Sequence, residues 1–278
     1  MFRLPSPLHA LGDDRLAAAG LRMFLKRDDL IHPDFPGNKW RKLKYNLEAA
    51  RAAGHTTLLT FGGAYSNHLL ATAAAGHHFP FKTVGIVRGE HRDPRNPVLA
   101  AAVRHGMRLE YVSRADYRRR SDPAFVAKLA EAFGDPYCIP EGGANRPGVR
   151  GCAELVDEID VPFDVLCCSV GTGATLAGAA AGLAPTQRAI GYAALKGEFL
   201  RDDVRRLQQR PTDNWEIDTG HHFGGYAKRT EALDAFVADF RRRHGITLSW
   251  VYEAKMMYGI FAGLSRFRPG TTIVAVIA

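Results

Sequence analysis

The sequence has 278 residues, of which 46% are hydrophobic, so it is long enough for a large core and for more than one domain. It contains no run of about 18 uncharged apolar residues, and Met1–Pro5 lacks an apolar segment, which argues against a transmembrane helix and a secretory signal. The net charge of +8, from 37 basic and 29 acidic residues, leaves open the binding of nucleic acid or of a small acidic substrate.

The first half of the chain alternates between helical and strand patterns. Short apolar runs separate amphipathic or alanine-rich stretches, and glycines such as Gly54 and Gly62 mark the ends of elements. The predicted helices are 40–53, 66–76, 95–105 and 122–133, and the predicted strands are 56–61, 82–87 and 108–112.

The second half repeats this alternation after Pro140–Pro147, in which four of the eight residues are Pro or Gly. The predicted helices are 148–158, 174–183, 228–243 and 255–264, and the predicted strands are 163–168, 188–193 and 271–277. Alternating strands and helices form parallel sheets that helices cover on both faces. We therefore predict an α/β protein with two lobes, each an open, mostly parallel sheet flanked by helices.

The four cysteines show no spacing that is typical of a metal site. Cys138, Cys152, Cys167 and Cys168 form no C-x-x-C pair, and no histidines stand at zinc-finger distances from them. Cys167 and Cys168 lie in an apolar run, as reduced thiols of a core do. We predict no metal site and a cytoplasmic location.

Arginines gather in three short runs, at Arg118–Arg120, Arg205–Arg206 and Arg241–Arg243. The runs are scattered along the chain, and none accompanies a known nucleic-acid-binding motif. Solvated helix faces explain them more simply than contacts with phosphates do. We expect no nucleic-acid partner and no membrane partner, and association with nucleic acid is kept as an alternative.

The segment Ser169–Thr175 has the composition of a phosphate-binding turn. It follows an apolar strand and opens a helix, where backbone amides carry partial positive charge. Gly171 and Gly173 allow a ligand to approach the backbone, and Thr172 and Thr175 offer hydroxyl donors. The segment matches neither the dinucleotide fingerprint nor the P-loop pattern. An ordinary strand-to-helix turn is therefore an equal alternative.

A second strand–glycine–helix turn spans Gly62–His68. Ser66 and Asn67 fall near the start of the helix, so Ser66 is either a simple N-cap or part of a small pocket for a carboxylate. His68 has apolar neighbours, and a histidine in such a place is more often structural than catalytic.

One lysine and two tyrosines complete the candidate chemistry. Lys39 follows a Pro-Gly turn at the start of a predicted helix, and a lysine held there can form a Schiff base with a carbonyl compound. Tyr226 and Tyr252 stand in glycine-containing segments, where a tyrosine can donate a proton or stack on a ring. Each tyrosine taken singly is more often a packing residue.

Seven segments together, in this order along the chain, resemble the 1-aminocyclopropane-1-carboxylate deaminase/D-cysteine desulfhydrase family of pyridoxal-phosphate enzymes. That family has the tryptophan-synthase-β-like fold, called fold type II. The segments are 26–30, 37–43, 61–68, 141–145, 169–175, 224–226 and 251–259. They extend through essentially the whole chain, so the resemblance implies the family's fold and its pyridoxal 5′-phosphate cofactor.

The resemblance also implies a role for each matching residue. Lys39 matches the lysine that forms a Schiff base with the cofactor and moves protons, and Asn38 and Asn67 match asparagines that contact the cofactor. Glu253 falls where the protein meets the pyridine nitrogen. The implied phosphate-binding residues are Gly171, Thr172, Gly173 and Thr175, the implied catalytic residues are Lys39, Ser66, Tyr226 and Tyr252, and the implied substrate-binding residues are Ser66, Asn67 and His68.

The resemblance implies a reaction that gives a 2-oxo acid and ammonia, with sulfide as a further product from D-cysteine. D-Cysteine has an α-proton that Lys39 can remove, whereas 1-aminocyclopropane-1-carboxylate has none and needs a stronger electron sink. A carboxylate beside the pyridine nitrogen favours the protonated, cationic ring. Glu253 therefore favours the deaminase, unless it is a surface glutamate on a neighbouring turn.

Three further expectations follow from the resemblance. The family's last strand normally leads into a His-Thr-Gly-Gly or His-Leu-Gly-Gly turn, whereas this sequence ends at Ala278. A catalytically impaired homologue that still binds cofactor or amino acid is therefore the alternative prediction. We expect a large cofactor-binding domain from residues 1–50 and 141–278, a small domain from 51–140, and a homodimer.

Overall fold

A computed structural model describes residues 1–35, 37–90 and 96–278 of the chain. The strands are β1 (Leu8–Ala10), β2 (Arg22–Arg27), β3 (Thr57–Gly62), β4 (Lys82–Arg88), β5 (Arg108–Val112), β6 (Tyr137–Ile139), β7 (Val165–Val170), β8 (Arg188–Ala193), β9 (Trp215–Asp218) and β10 (Thr272–Ile277). The helices are α1 (Asp14–Ala18), α2 (Lys39–Ala52), α3 (Asn67–His78), α4 (Pro97–Arg104), α5 (Arg114–Tyr117), α6 (Pro123–Ala132), α7 (Arg146–Asp157), α8 (Ala174–Gly182), α9 (Phe199–Leu207), α10 (Glu231–His244) and α11 (Glu253–Ala262).

Every helix and strand predicted from the sequence is present, and its ends lie within three residues of the predicted ones. The helix predicted over 95–105 begins at Pro97, because the Asn96 side chain caps it by accepting from the amides of Val98 and Leu99. Arg95 lies outside the described residues. The elements that the pattern did not predict are β1, α1, β2, α5, β6, α9 and β9.

The chain divides into two compact units. The first unit comprises residues 1–31 and 152–278, and the second unit comprises residues 32–151. The predicted domain boundaries lie instead after residues 50 and 140. The assignment of one domain to the cofactor stays a prediction.

The first unit contains a six-stranded sheet in the order β1-β2-β10-β7-β8-β9. Strand β1 is antiparallel to β2, and all other neighbours are parallel. The central strand β10 is buried along its whole length, and its Ala275 pairs with Leu25 on one side and Cys167 on the other. Such near-continuous apolar strands are typical of parallel sheets that are covered on both faces.

The second unit contains a four-stranded parallel sheet in the order β5-β4-β3-β6. On one face, Leu69 of α3 and Leu99 of α4 belong to a buried apolar cluster. On the other face, Phe61 and Ile86 of the sheet cluster with Tyr117 at the end of α5. Each unit thus has one mostly parallel sheet with helices packed against it, and the predicted α/β architecture is confirmed.

The charged and cysteine residues agree with the simpler expectations. Arg119 pairs with Asp122, Arg206 with Asp203, and Arg242 with Asp239, which places members of all three arginine runs beside carboxylates about one turn away. The four cysteines are free thiols, and three of them are buried. Within the part of the chain that the structure describes, no helix has both the length and the apolar character needed to cross a membrane.

Candidate active site

The glycine turn between β7 and α8 has a backbone that only glycine suits. Gly173 stands at the N-cap of α8 with a φ of 87°, in the left-handed region. A Cβ atom there would lie 2.8 Å from Cγ2 of Val204, so a side chain would also clash. No side chain caps the helix at Gly173. The first amides of α8 are therefore available to an anion.

Two hydroxyl groups at this turn have no partner inside the described part of the chain. Oγ of Ser169 and Oγ1 of Thr172 are both buried and make no hydrogen bond there. A buried polar group without a partner costs about 1–3 kcal/mol, so unpaired donors next to a helix N-terminus indicate an anion site. Thr175 is buried one turn further on. These groups are donors of the kind that a phosphate needs, and the predicted phosphate site stays a prediction.

The structure brings the two predicted tyrosines to the same turn. A Cβ atom added to Gly171 would lie 3.3 Å from Cε1 of Tyr252, so the tyrosine ring packs directly on the glycine. The rings of Tyr226 and Tyr252 contact each other edge to face, with centroids 6.1 Å apart. Tyr226 is exposed, with 41% of its surface accessible. The glycine turn before α8 and both tyrosines therefore lie together in the first unit.

Glu253 is buried, which excludes its interpretation as a surface residue. It is the first residue of α11 and is only 3% exposed. Its Oε2 accepts a hydrogen bond from the backbone N–H of Ser249 at 3.1 Å. The N-terminus of a helix favours a negative charge, so this position suits an acidic residue.

Lys255, two residues further along α11, is a part of the site that sequence reasoning missed. Its Nζ donates to the carbonyl oxygens of Ala194, His222 and Gly225, at 3.3, 2.9 and 2.7 Å. Lys255 thereby ties the loop that carries Tyr226 to the helix that carries Glu253, and burial lowers the pKa of Lys255. The sequence signal that could have indicated a buried lysine is the position of Lys255 next to the apolar residues Met256 and Met257.

Lys39 lies in the second unit, as the first residue of α2. Its Nζ donates to Oδ1 of the preceding Asn38 at 2.9 Å, and Asn38 is itself buried. Gly37 has a φ of 56°, which matches the predicted turn, whereas Pro36 lies outside the described residues. The asparagine therefore orients the ammonium group of Lys39.

Ser66 and Asn67 begin α3, also in the second unit. Oγ of Ser66 accepts a hydrogen bond from the amide of Leu69 at 3.3 Å, so Ser66 caps the helix. A Cβ atom on Gly62 would lie 2.6 Å from this Oγ, which explains the glycine. Asn67 is exposed at the first position of the helix. The geometry gives Ser66 a structural role and leaves its predicted contact with substrate a prediction.

His68 is buried and has a defined tautomer. Oγ1 of Thr60 donates to the carbonyl of Ile139 at 2.8 Å, so its single proton is in use and it accepts from Nε2–H of His68 at 2.9 Å. Nδ1 of His68 is then an acceptor, and it has no hydrogen-bond partner in the described chain. Burial, followed by the charges of Lys39 and Lys42, lowers the pKa of His68 to about 3. His68 is therefore neutral at physiological pH.

The segment Glu141–Asn145 holds α2 in place through its last residue. The side-chain amides of Asn145 and Asn46 exchange two hydrogen bonds, of 2.7 and 3.1 Å. Oδ1 of Asn145 also accepts from the amide of Gly148 near the start of α7. Gly143 approaches α2 so closely that an added Cβ atom would lie 3.0 Å from Cβ of Lys42. The segment therefore positions the helix that begins with Lys39.

Comparison with known proteins identifies the family of the chain. Residues 2–278 match the family model described as "Pyridoxal-phosphate dependent enzyme". The chain is 30% identical to the 1-aminocyclopropane-1-carboxylate deaminase of Burkholderia orbicola, over 97% of this chain and 90% of that protein. It is 27% identical to the bifunctional D-cysteine desulfhydrase/1-aminocyclopropane-1-carboxylate deaminase, mitochondrial, of Arabidopsis thaliana, over 96% of this chain and 73% of that protein.

A solved structure described as an "ACC deaminase homologue" superposes with a TM-score of 0.85 at 26% identity, covering 99% of this chain and 89% of that one. The cofactor implied by the family match agrees with the unpaired hydroxyls at the turn that precedes α8. The chain therefore belongs to the pyridoxal-phosphate-dependent enzymes, in the group of 1-aminocyclopropane-1-carboxylate deaminase and D-cysteine desulfhydrase.

Proposed function

We propose that this enzyme releases ammonia from a small amino acid of the 1-aminocyclopropane-1-carboxylate or D-cysteine type and leaves a 2-oxo acid. The names of its relatives support this reaction class. The observation that carries the proposal is Lys39, which the buried Asn38 orients at the start of α2 in a chain of the pyridoxal-phosphate family.

Lys39 is the residue that we propose bonds to the cofactor carbonyl and afterwards serves as the base. Bound pyridoxal phosphate supplies an electron sink for the bonds at the substrate's α-carbon. The amine of Lys39 would remove the α-proton of D-cysteine and later return a proton to carbon. Neutral His68 adds no positive charge beside this amine, since its pKa lies near 3.

The glycine turn before α8 is the proposed phosphate site. The hydroxyl groups of Ser169 and Thr172 would donate hydrogen bonds to phosphate oxygens, as would the first amides of α8. Tyr226 and Tyr252 are the proposed proton donors or acceptors at the substrate. Ser66 and Asn67 would bind the substrate carboxylate through the N-terminus of α3.

Glu253 leads us to place the deaminase reaction ahead of the desulfhydrase. Opening a cyclopropane ring without an α-proton needs a strong electron sink, and a carboxylate beside a pyridine nitrogen keeps that nitrogen protonated. The burial of Glu253 at the start of α11 supports such a role. The proposed products are 2-oxobutyrate and ammonia from 1-aminocyclopropane-1-carboxylate and water, and pyruvate, ammonia and hydrogen sulfide from D-cysteine and water.

A substrate panel tests the proposal. Purified holoenzyme is incubated with 1-aminocyclopropane-1-carboxylate, D-cysteine, L-cysteine and D-serine, and oxo acid, ammonia and sulfide are measured. We expect the highest kcat/KM with 1-aminocyclopropane-1-carboxylate. Lys39→Ala should lose both activity and the visible absorbance of the cofactor linkage, whereas Lys128→Ala, at an exposed lysine on α6, should keep both. Absence of oxo acid from every substrate, with the cofactor bound, would refute the reaction and leave a binding protein.

We further propose that the enzyme is a cytoplasmic homodimer. The four free thiols suit a reducing compartment. Light scattering of the purified holoenzyme measures the mass in solution, and a value near 30.5 kDa would contradict the dimer.

A further inference from the structure

A cluster of metal-ligating side chains lies in the second unit, on residues to which the proposed reaction gives no role. His32, Asp34 and His78 bring one ligand atom each to within 4.8 Å of one another. Nε2 of His78 lies 2.7 Å from Oδ2 of Asp34, and the backbone N–H of Asp34 donates to Nδ1 of His32 at 3.2 Å. We propose that this cluster binds a divalent transition metal, with zinc as the best match.

The donor set is the kind that zinc prefers. Zinc takes imidazole nitrogen and carboxylate oxygen at about 2.0–2.2 Å, and two histidines with one carboxylate leave one position for water. His32 is buried, whereas Asp34 and His78 are partly exposed and can rotate toward an ion. The metal would take the place of the Asp34 N–H at Nδ1 of His32. It would also take the place of the proton that lies between Nε2 of His78 and the carboxylate of Asp34. His32 would keep its Nε2–H, as a neutral ligand does.

The C-terminal end of α3 also favours a cation. His77 and His78 form the last turn of α3, where the helix carbonyls carry partial negative charge. The ring of His77 lies 5.3 Å from that of His78 and 5.3 Å from that of His105. Four of the 11 histidines of the chain therefore lie in this patch with one carboxylate.

Aromatic packing is the competing explanation for the cluster. The ring of Phe35 lies 5.4 Å from that of His32 and 5.8 Å from that of His78. Packing needs only the rings, whereas a metal needs the Asp34 carboxylate and a nitrogen of His78. Asp34→Asn, which keeps the side-chain shape, and His78→Phe, which keeps an aromatic ring, therefore separate the two explanations.

A bound metal would link two parts of the second unit. His32 and Asp34 lie in the segment before Lys39, and His78 ends the helix that Ser66 caps. The ten residues from His68 to His78 span about 15 Å of helix, so His78 lies well away from Ser66 and His68 at the start of α3. The inference does not depend on the proposed reaction.

Zinc binding by the holoenzyme tests the inference. Protein that has been treated with a chelator and then reloaded with cofactor is dialysed against zinc chloride, and the bound metal is counted by mass spectrometry. We expect about one zinc per chain, with the apparent Kd raised at least about tenfold in Asp34→Asn and in His78→Phe. His9→Ala, at an exposed histidine on β1, should bind zinc as the wild type does.

Cofactor absorbance and thermal melting establish that each variant is folded before zinc is added. Substitution of cobalt for zinc gives a second signal, because its visible absorption reports coordination by nitrogen and oxygen. Failure of the wild type to retain zinc, or equal retention by the wild type and both cluster variants, would overturn the inference. Equal loss in His9→Ala would also overturn it, since binding would then not depend on this cluster.

Discussion

The two units hold their proposed site residues by different means. In the first unit the site residues depend on backbone conformation and backbone contacts. Gly173 has a left-handed conformation, and Lys255 donates hydrogen bonds to three carbonyl oxygens. In the second unit, pairs of side chains hold the site, such as His68 with Thr60 and Asn145 with Asn46. The first unit should therefore respond mainly to changes in backbone contacts, and the second to protonation and to loss of side-chain partners.

Lys255→Met should have the largest effect on stability. The variant keeps the length of the side chain but removes the three hydrogen bonds from Nζ to the carbonyls of Ala194, His222 and Gly225. We expect the free energy of unfolding in urea to fall by about 3 kcal/mol, the range for breaking a buried polar network. The loop with Tyr226 should also loosen, which lowers kcat more than it changes the affinity for cofactor.

Lys228→Met is the matched control, because Lys228 is an exposed lysine of the same loop. A loss below about 0.5 kcal/mol in Lys255→Met, equal to that in the control, would mean that the three carbonyl contacts do not stabilise the loop.

His68→Gln should change how stability depends on pH. The pKa of His68 is about 3 in the folded chain and 6.5 in the reference state, so the unfolded state binds a proton first as the pH falls. Stability is therefore lost between pH 6.5 and 3, at up to about 1.4 kcal/mol per pH unit. Between pH 7 and 5 the wild type should lose about 2 kcal/mol more than His68→Gln, whose amide can still donate to Thr60.

Urea unfolding at pH 7, 6 and 5 measures this difference, with His9→Gln as a control at an exposed histidine. Parallel pH profiles for the wild type and His68→Gln would contradict a neutral, buried His68.

Asn145→Ala should have a smaller effect that is confined to the second unit. The change removes both hydrogen bonds to Asn46 and the bond from the amide of Gly148. We expect a loss of about 1.5 kcal/mol in unfolding free energy and a lower kcat, because α2 carries Lys39 at its start. Asn214→Ala, at a half-buried asparagine of the first unit, is the control for activity. An unchanged kcat in Asn145→Ala would mean that the hydrogen bonds between Asn145 and Asn46 do not position Lys39.

The contrast between the units also explains what the sequence could predict. Periodicity is a local signal, so it located helices such as α2 and α3 and the apolar strand β10. Periodicity did not predict strand β2, because β2 is defined by its pairing with β10, some 250 residues away. The same limit applies to β1 and β6, which are only three residues long.

The candidate site divides in the same way. The glycine turns were recognisable, because glycine reports a backbone requirement directly in the sequence. The contact between Tyr226 and Tyr252, the burial of Glu253 and the metal-ligating cluster depend on tertiary packing. His32 and His78 are 46 residues apart, so no motif of short spacing could join them.

Thr172→Val should affect ligand binding without reducing stability. Oγ1 of Thr172 is buried and has no hydrogen-bond partner in the described chain, so its replacement by a methyl group removes a desolvation cost rather than a bond. We expect the unfolding free energy of the cofactor-free chain to stay within about 0.5 kcal/mol or to rise, and the affinity for pyridoxal phosphate to fall about tenfold. Thr247→Val, at an exposed threonine of the same unit, should change neither quantity.

Fluorescence titration with cofactor and urea unfolding measure the two effects separately. A variant that lost stability but kept its cofactor affinity would show that the hydroxyl serves the fold, and the phosphate would then depend on Ser169 and the amides of α8.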